Sequence, residues 1–244
     1  MQLTIKNHIW KAIQIFSLMI CMAGAQSATF QFRTFKGTAP FTLPYRLLVP
    51  SNYDAKLSYP VVLAMHGLGE RGNDNEAPLK ANDLGNVWAR DTVQTKHPSF
   101  VIVPQCPGDS TWIRWNVPVD SAPITPTLKT VYELLDSLQH EYHIDVNRIY
   151  MVGLSMGGFA TWDLVARYPQ RFAAIVPIAG WGDTSKATLF KSLPIWAFHG
   201  NADNVILVAG TKNMIEAICK ADKVLPHLKR TGQILVCCGL QGSP

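Results

Sequence analysis

The turn around Ser155 constrains the fold of this chain more than any other part of the sequence. A short apolar run at residues 149–152 leads into the sequence GLSMG at 153–157, and a helix-compatible run follows it. This order predicts a β-strand, a very tight turn with a strained serine at its tip, and an α-helix. Glycine two positions before and after the serine fits where a larger side chain would collide. The pattern is typical of a serine that acts as a nucleophile.

Short apolar segments predict further strands, and apolar residues at steps of three and four predict amphipathic helices. The predicted strands lie at residues 30–35, 45–49, 60–65, 100–103, 149–152, 173–178 and 195–198, and the predicted helices within 128–142 and 208–220. The first two strands are expected to pair antiparallel. The later alternation of strands and helices predicts an α/β fold with a mostly parallel central sheet and helices on both faces, incomplete at the C-terminal end.

Length and the N-terminal segment together predict one exported domain. A chain of 244 residues, 48% of them hydrophobic, suits a single α/β domain, expected at 26–244 with a divergent tail at 220–244. Residues 1–25 resemble a secretion signal, since two lysines precede an apolar stretch and a small-residue cleavage site. An uncleaved membrane anchor is the alternative. We expect a secreted or periplasmic protein with no stable membrane association after cleavage.

Charge and cysteine content argue against several classes of function. The formal net charge is +5, and the sequence has no basic stripe interleaved with aromatic residues, so no nucleic-acid partner is expected. The five cysteines show no spacing with histidine that resembles a zinc site, and free thiols are favoured over disulfides. We expect neither a metal nor an organic cofactor.

Small and polar residues follow four of the predicted strands. They are HGLG at 66–69, Ser155, AGW at 179–181 and HGNAD at 199–203. In parallel sheets the carboxyl ends of the strands meet at one edge, where binding and catalytic sites form. The sequence therefore predicts that these four segments build one site.

Five ordered motifs resemble those of secreted α/β-hydrolases. They are HGLGERG (66–72), VPQCP (103–107), GLSMGG (153–158), RYPQRFAAIVPIAG (167–180) and PIWAFHGNADNVI (194–206). The similarity is to the group of phospholipase/carboxylesterases, polyhydroxybutyrate-depolymerase-like enzymes, and feruloyl and acetyl-xylan esterases. It implies the α/β-hydrolase fold and hydrolysis of carboxylic esters through an acyl-enzyme, without a cofactor. The implied substrates are acyl or feruloyl esters on plant polysaccharide, or small carboxylic esters.

The resemblance also implies roles for individual residues. Ser155 is the implied nucleophile. The N–H groups of Met156 and Leu68 are the implied oxyanion donors, each worth a few kcal/mol at the transition state. Asp203 is the implied triad acid, which orients a histidine and stabilises its charged form. The alternative role for Asp203 is to cap the helix that follows it.

Other residues near these motifs are expected to support the site. His66 is expected to hold the loop that follows it through a side-chain hydrogen bond, and His199 to pack in a similar structural way. Glu70 and Arg71 are expected to brace the same loop as an ion pair. Asp183 is a weaker candidate for the acid of the triad.

Three tryptophans are candidates for the substrate pocket. Trp181, directly after a predicted strand, is placed to wall the acyl or alcohol pocket. Trp112 and Trp115 are placed to line the substrate entrance. The alternative for each is a position in the core, where large aromatic side chains are more often found.

The histidine of the triad is the part of the pattern that the sequence does not clearly supply. The resemblance implies a Gly-His segment after one more helix and one more strand beyond Asp203. No such segment follows Lys220, and the tail contains only His227. The best remaining strand candidate, residues 233–237, comes after His227. Three explanations stay open: a frameshifted or truncated esterase gene, His227 acting as base by an unusual path, or a scaffold that has given up catalysis.

Two further functions compete with a serine esterase that acts on small-molecule or polysaccharide-linked esters. A peptidase of the prolyl-oligopeptidase type uses the same triad on amides. Such enzymes carry an added propeller or lid domain, for which 244 residues leave little room. A hydrolase-fold binding protein that lacks the triad histidine is the second alternative, because a serine without a base is a poor nucleophile.

Overall fold

A mixed β-sheet forms the centre of the protein and positions the elements around it. A computed structural model describes residues 29–115, 117–221 and 234–238, the last segment by its backbone alone. The described strands are β1 (Gln31–Phe35), β2 (Leu43–Leu48), β3 (Tyr59–Met65), β4 (Phe100–Pro104), β5 (Ile144–Leu154), β6 (Ala174–Ile178), β7 (Ile195–His199) and β8 (Ile234–Cys238). They lie in the order β1-β2-β4-β3-β5-β6-β7-β8 across the sheet.

The sheet is antiparallel at its first edge and parallel across the rest. β1 pairs antiparallel with β2, and β2 with β4. The pairs from β4 through to β8 are all parallel. The predicted antiparallel start and the mostly parallel α/β sheet are therefore confirmed.

Helices fill the connections between the parallel strands, as such connections require. The described helices are α1 (Ala77–Lys80), α2 (Asn86–Ala89), α3 (Asp91–Lys96), α4 (Pro126–Glu141), α5 (Met156–Arg167) and α6 (Val208–Ala221), with 3₁₀ segments at Val119–Ser121 and Thr184–Phe190. At the start of α4, the Thr125 hydroxyl accepts a hydrogen bond from the Leu128 N–H at 3.2 Å, and Pro126 occupies the first turn. None of the described helices has the length and apolar content to cross a membrane.

Apolar side chains are buried on both faces of the sheet, because alternate residues of each strand point to opposite faces. On one face, α4, α5 and α6 contribute Leu135, Leu164 and Met214 to the larger core cluster. On the other face, Leu79 of α1 and Trp88 of α2 pack against a smaller cluster rich in valine. Helices on both faces are thus confirmed.

Strand β8 forms the last edge of the sheet, and its position in the chain matters for the histidine of the triad. β8 pairs parallel with β7, and Ile234 lies opposite Ile195. The strand predicted at 233–237 is therefore confirmed within one residue, and it follows His227 in the chain. His227 and the predicted signal at 1–25 lie outside the described residues.

Candidate active site

Ser155 stands at the tip of the turn between β5 and α5, where the sequence predicts it. Between Leu154 and Met156, Ser155 has φ 51° and ψ −115°. This conformation is rare for a residue with a side chain, and it stores strain. The Ser155 N–H donates to the Ile178 carbonyl oxygen at 2.8 Å, which fixes the turn to the end of β6. Ser155 is partly exposed at this edge of the sheet.

Glycine is required on both sides of the serine because backbone atoms lie where a side chain would start. A Cβ atom on Gly153 would collide with the carbonyl group of Gly157. A Cβ atom on Gly157 would lie 2.6 Å from the Met65 carbonyl carbon and 2.8 Å from the His66 carbonyl oxygen. Real Cβ atoms essentially never approach within 3.0 Å. The turn therefore packs directly on the end of β3.

The loop after β3 passes beside the serine. A Cβ atom placed on Gly67 would lie 3.5 Å from the Ser155 Cβ atom. The Leu68 N–H finds no acceptor among the described residues. The Met156 N–H belongs to the first residue of α5 and has no acceptor within the helix. Both N–H groups predicted as oxyanion donors are thus available, and the positive end of the α5 dipole lies beside them.

His66 holds this loop and is not available as a base. The side chain is buried. Nδ1 donates to the Gly67 carbonyl oxygen at 2.6 Å, and Nε2 accepts from the Cys106 N–H at 2.9 Å. Burial lowers the pKa of His66 below its ordinary value, so the ring is neutral at pH 7. The loop-holding role expected for His66 agrees with these contacts.

Glu70 and Arg71 do not form the ion pair predicted for them. The Arg71 guanidinium donates to the carbonyl oxygens of Leu68 and Ser110, at 3.0 and 3.1 Å. Glu70 instead accepts a hydrogen bond from the Asn82 side-chain amide at 3.2 Å. In a tight loop, neighbouring side chains point in different directions, so the guanidinium braces the loop through carbonyl oxygens.

Asp203 lies in the loop after β7, where backbone N–H groups hold its carboxylate. Oδ1 accepts from the N–H groups of Ile206 and Val205, at 2.8 and 3.0 Å. These hydrogen bonds, that of Ile206 foremost, lower the pKa of the Asp203 carboxyl, so it is ionised at neutral pH. Helix α6 begins only at Val208. The carboxylate therefore organises its own loop and does not cap that helix.

The strand register places the ends of β5 and β7 level with each other. Leu154 pairs with Ile178, and Ile178 pairs with Phe198. Neighbouring strands lie about 4.8 Å apart, so the strands that lead to Ser155 and to Asp203 are separated by about 10 Å. A histidine that bridged the two side chains would have to reach into this gap.

The other candidates for the triad are engaged elsewhere or are not described. Asp183 caps the 3₁₀ segment after it: its Oδ1 accepts from the Ser185 N–H at 2.9 Å, and its Oδ2 accepts from the Val119 N–H at 3.3 Å. His199 is buried and hydrogen-bonded through both ring nitrogens. His227 lies outside the described residues, and no histidine follows it in the sequence.

The prediction that Trp112 lines the substrate entrance is wrong. Trp112 is fully buried, and its ring centre lies 5.1 Å from that of His66. Its indole N–H donates to the His66 carbonyl oxygen at 3.2 Å. The loop after β4 turns this side chain into the core, where it supports the loop after β3. Trp115 and Trp181 behave differently, since both line a cavity of about 340 Å³.

The lining of this cavity combines aromatic, aliphatic and polar residues. Phe159 joins the two tryptophans, with its ring centre 5.2 Å from that of Trp115 and 4.7 Å from that of Trp181. The polar lining residues are Arg114, Asp163, Asp183, Thr184 and Asn213. Sequence reasoning missed Phe159, although it stands four residues after Ser155 at the spacing that places residues on one helix face.

A larger apolar cavity, of about 660 Å³, is separate from this site. Its lining includes Tyr59 and Ala174, the first residues of β3 and β6. It therefore opens towards the amino ends of the strands, whereas Ser155 stands at their carboxyl ends.

Comparison with known families agrees with this arrangement. The Esterase family model matches residues 42–213, which contain the loop after β3, the Ser155 turn and Asp203. The chain belongs to the esterase family. Within the matched range, the candidate residues Leu68, Ser155 and Asp203 follow β3, β5 and β7, whose carboxyl ends lie at one edge of the sheet.

Two curated relatives and one solved structure are similar to this chain. It is 30% identical over 172 residues to poly(3-hydroxyalkanoate) depolymerase C of Paucimonas lemoignei, covering 68% of this chain and 38% of that protein. It is 24% identical over 147 residues to a bifunctional acetylxylan esterase/xylanase of Neocallimastix patriciarum, covering 60% and 20%. The crystal structure of a thermostable esterase matches with a TM-score of 0.77 and 36% identity, over 86% of this chain and 54% of that one. The chain spans less than two thirds of the length of each.

Proposed function

We propose that this esterase hydrolyses carboxylic esters by forming an acyl-enzyme on Ser155. The observation that carries the proposal is the strained Ser155 turn, packed beside the loop that contributes the Leu68 N–H. Ester hydrolysis of this kind needs a nucleophile and hydrogen-bond donors for the developing oxyanion. Membership of the esterase family supports the same class of reaction.

In the proposed reaction, the Ser155 Oγ attacks the ester carbonyl carbon while a base takes its proton. The carbonyl oxygen becomes an oxyanion and accepts hydrogen bonds from the N–H groups of Met156 and Leu68. The alcohol then leaves with the proton held by the base. Water attacks the acyl-enzyme in the second half of the reaction, which releases the carboxylic acid and restores Ser155.

We assign the acid of the triad to Asp203 and the base to His227. An ionised Asp203 can orient a histidine and stabilise its charged form. His227 is the only histidine after Asp203 in the sequence, which follows the Ser-Asp-His order of this fold. A serine hydroxyl without a base is a weak nucleophile at neutral pH, so the reaction requires a base.

The proposed substrates are acyl or feruloyl esters on plant polysaccharide, or small carboxylic esters. The aromatic rings of Trp115, Phe159 and Trp181 in the cavity lining support an ester with a flat ring, and the polar lining residues support hydroxyl groups. The names of two relatives, an acetylxylan esterase/xylanase and a polyester depolymerase, are consistent with ester bonds in polymers. Polymeric substrates of this kind accord with a secreted or periplasmic location.

Rates on three model substrates test this class of reaction. We expect p-nitrophenyl acetate and methyl ferulate to be hydrolysed, and methyl ferulate to have the higher kcat/KM. A prolyl p-nitroanilide is expected to remain intact. Hydrolysis of the anilide in preference to both esters would favour the peptidase alternative and overturn the proposal.

Replacing Asp203 by asparagine is expected to lower kcat for p-nitrophenyl acetate by about 10⁴-fold, with little change in KM. The amide cannot stabilise a charged histidine at the transition state. Asp54→Asn is the matched control, because the Asp54 carboxylate also accepts a backbone hydrogen bond in a loop after a strand, from the Lys56 N–H at 2.9 Å, and it lies outside the candidate site. Equal kcat values for the two variants would remove Asp203 from the triad.

Replacing Trp115 by alanine is expected to raise KM for methyl ferulate by about fivefold, since an aromatic contact contributes about 1 kcal/mol. KM for p-nitrophenyl acetate is expected to change less, because acetate has no ring. Trp196→Ala is the control: Trp196 is 47% exposed, close to the 42% of Trp115, but lies near the amino end of β7. Steady-state kinetics measure both variants. If Trp115→Ala and Trp196→Ala have the same KM for methyl ferulate, the substrate does not bind against Trp115.

A binding protein without catalysis is the second candidate function. It is favoured by one observation: His227 precedes strand β8, whereas the family pattern expects the histidine after the strand that follows the acid. Such a protein would bind a feruloylated sugar in the Trp115 cavity without turning it over. Calorimetric binding of that ester, with no product formed over hours, would support this candidate.

A further inference from the structure

A buried set of hydrogen bonds joins the end of β7 to the loop that carries Asp203. His199, the last residue of β7, is 3% exposed. Its Nε2 lies 2.6 Å from the Ile206 carbonyl oxygen, and its Nδ1 lies 2.7 Å from the Thr211 hydroxyl oxygen. A carbonyl oxygen has no proton to give, so Nε2 carries the proton and donates it to Ile206.

Thr211, in α6, extends this connection to the loop after β6. Its hydroxyl oxygen lies 2.9 Å from the Gly180 carbonyl oxygen and 2.7 Å from His199 Nδ1, and its single proton can serve either acceptor. The Gly180 carbonyl oxygen accepts from the Trp162 indole N–H at 3.1 Å. Gly180 directly precedes Trp181, which lines the aromatic cavity. The buried set therefore ties together the loops after β6 and β7 and the start of α6.

Ile206 is held through both of its backbone groups. Its N–H donates to Asp203 Oδ1 at 2.8 Å, and its carbonyl oxygen accepts from His199. The second carboxylate oxygen, Oδ2, lies 3.5 Å from His199 Nε2. This distance is long for a hydrogen bond but short for attraction between a carboxylate and a polarised N–H. The Asp203 carboxylate, the Ile206 backbone and the His199 imidazole thus each contact the other two.

Apolar packing contributes little to fixing the same loop. Val205 is 81% exposed and Leu207 is 62% exposed, so these side chains are hardly removed from water. The contacts of His199 are buried, and hydrogen bonds in a dry interior hold one geometry more firmly than exposed ones. Among the contacts of this loop, those of the buried imidazole are therefore well placed to hold it.

We propose that His199 is a positioning residue that fixes the loop at 200–207, so that the Asp203 carboxylate is held in place for catalysis. This inference rests on the proposed role of Asp203 as the acid of the triad. It assigns to His199 a function distinct from proton transfer, since protein groups engage both of its ring nitrogens. Thr211 acts as the anchor on which the imidazole is oriented.

Four variants and amide hydrogen exchange test the proposal. His199→Gln can return an N–H donor to the Nε2 position, whereas His199→Asn is too short to reach Ile206. Thr211→Val removes the hydroxyl, and Thr211→Ser keeps it. Exchange at the amides of Val205 and Ile206 is expected to accelerate by about tenfold or more in His199→Asn and Thr211→Val. It is expected to stay within about threefold of the wild type in the other two variants.

The kinetic readout separates positioning from general loss of structure. His199→Asn is expected to lower kcat for p-nitrophenyl acetate by about 10- to 100-fold with KM unchanged, since a misplaced acid affects only the transition state. His199→Gln is expected to recover most of that loss. Amides in α4 serve as the internal control, because their exchange should not change in any variant that remains folded.

Asp203→Asn, measured alongside, distinguishes the two possible failures. If this variant hydrolyses the ester like the wild type, the proposed role of Asp203 fails, while the exchange data still report whether His199 holds the loop. If Asp203→Asn is impaired and all four His199 and Thr211 variants exchange and turn over normally, the inference is overturned. Should His199→Asn unfold, the comparison of Thr211→Val with Thr211→Ser decides.

Discussion

Replacing Ser155 by alanine is expected to abolish covalent labelling by a fluorophosphonate and to lower kcat for p-nitrophenyl acetate by about 10⁴-fold or more. The change removes only the hydroxyl oxygen that would form the acyl-enzyme, and it keeps the Cβ atom, so the turn itself should persist. Intact-protein mass is the measurement: the wild type is expected to gain one adduct, and the variant none.

Ser121→Ala is the matched control for this experiment, because Ser121 is an exposed serine at the end of the 3₁₀ segment Val119–Ser121. It should label as the wild type does. An adduct on Ser155→Ala would place the reactive nucleophile elsewhere in the chain. A wild type that takes no label but still binds the ester would favour the non-catalytic candidate over the esterase.

Replacing Gly157 by alanine is expected to destabilise the fold by about 3 kcal/mol, at the upper end of the cost of overpacking. The new Cβ would lie 2.6 Å from the Met65 carbonyl carbon, and backbone of this kind cannot move as the end of a flexible side chain does. For a protein of this size the melting temperature should fall by about 10 °C. Activity should fall as well, because a shift of Met65 and His66 displaces the loop beside Ser155.

Gly69→Ala provides the comparison for this second result. A Cβ atom on Gly69 would meet nothing within 4 Å, although Gly69 belongs to the same loop. Its melting temperature should stay close to that of the wild type, within about 2 °C. Calorimetry measures both variants. If the melting temperatures of Gly157→Ala and Gly69→Ala are equal, the close approach at the turn does not constrain the fold.

Features that depend on neighbouring residues could be predicted from the sequence. The turn around Ser155 needs glycine at 153 and 157. Both glycines and the serine lie within five consecutive residues, so the turn can be recognised from the sequence. β3 is a continuous apolar run, which a strand buried on both faces demands. β5 could be predicted only in part. Its apolar residues 149–152 were expected to form a strand. Its more polar first part is also a strand, because Ile144 pairs with Tyr59 at the start of β3.

Features that depend on the direction of a side chain could not be predicted in this way. Trp112 and Trp115 are three residues apart in one loop, yet one is in the core and the other lines the cavity. Glu70 and Arg71 carry opposite charges, which suggested an ion pair. The loop instead directs the guanidinium to the carbonyl oxygens of Leu68 and Ser110. The composition and spacing of these residues do not reveal in which direction each side chain points.

The sequence by itself determined the α/β class, the order of the main strands, the serine turn and the edge of the sheet at which a site can form. These follow from hydrophobic periodicity and from the steric needs of a tight turn, which are local. Only the tertiary structure decided which groups His66 and His199 contact and that Phe159 joins Trp115 to Trp181. Those outcomes depend on contacts between segments far apart in the chain. In a close-packed interior the positions of such side chains are determined together, not one by one.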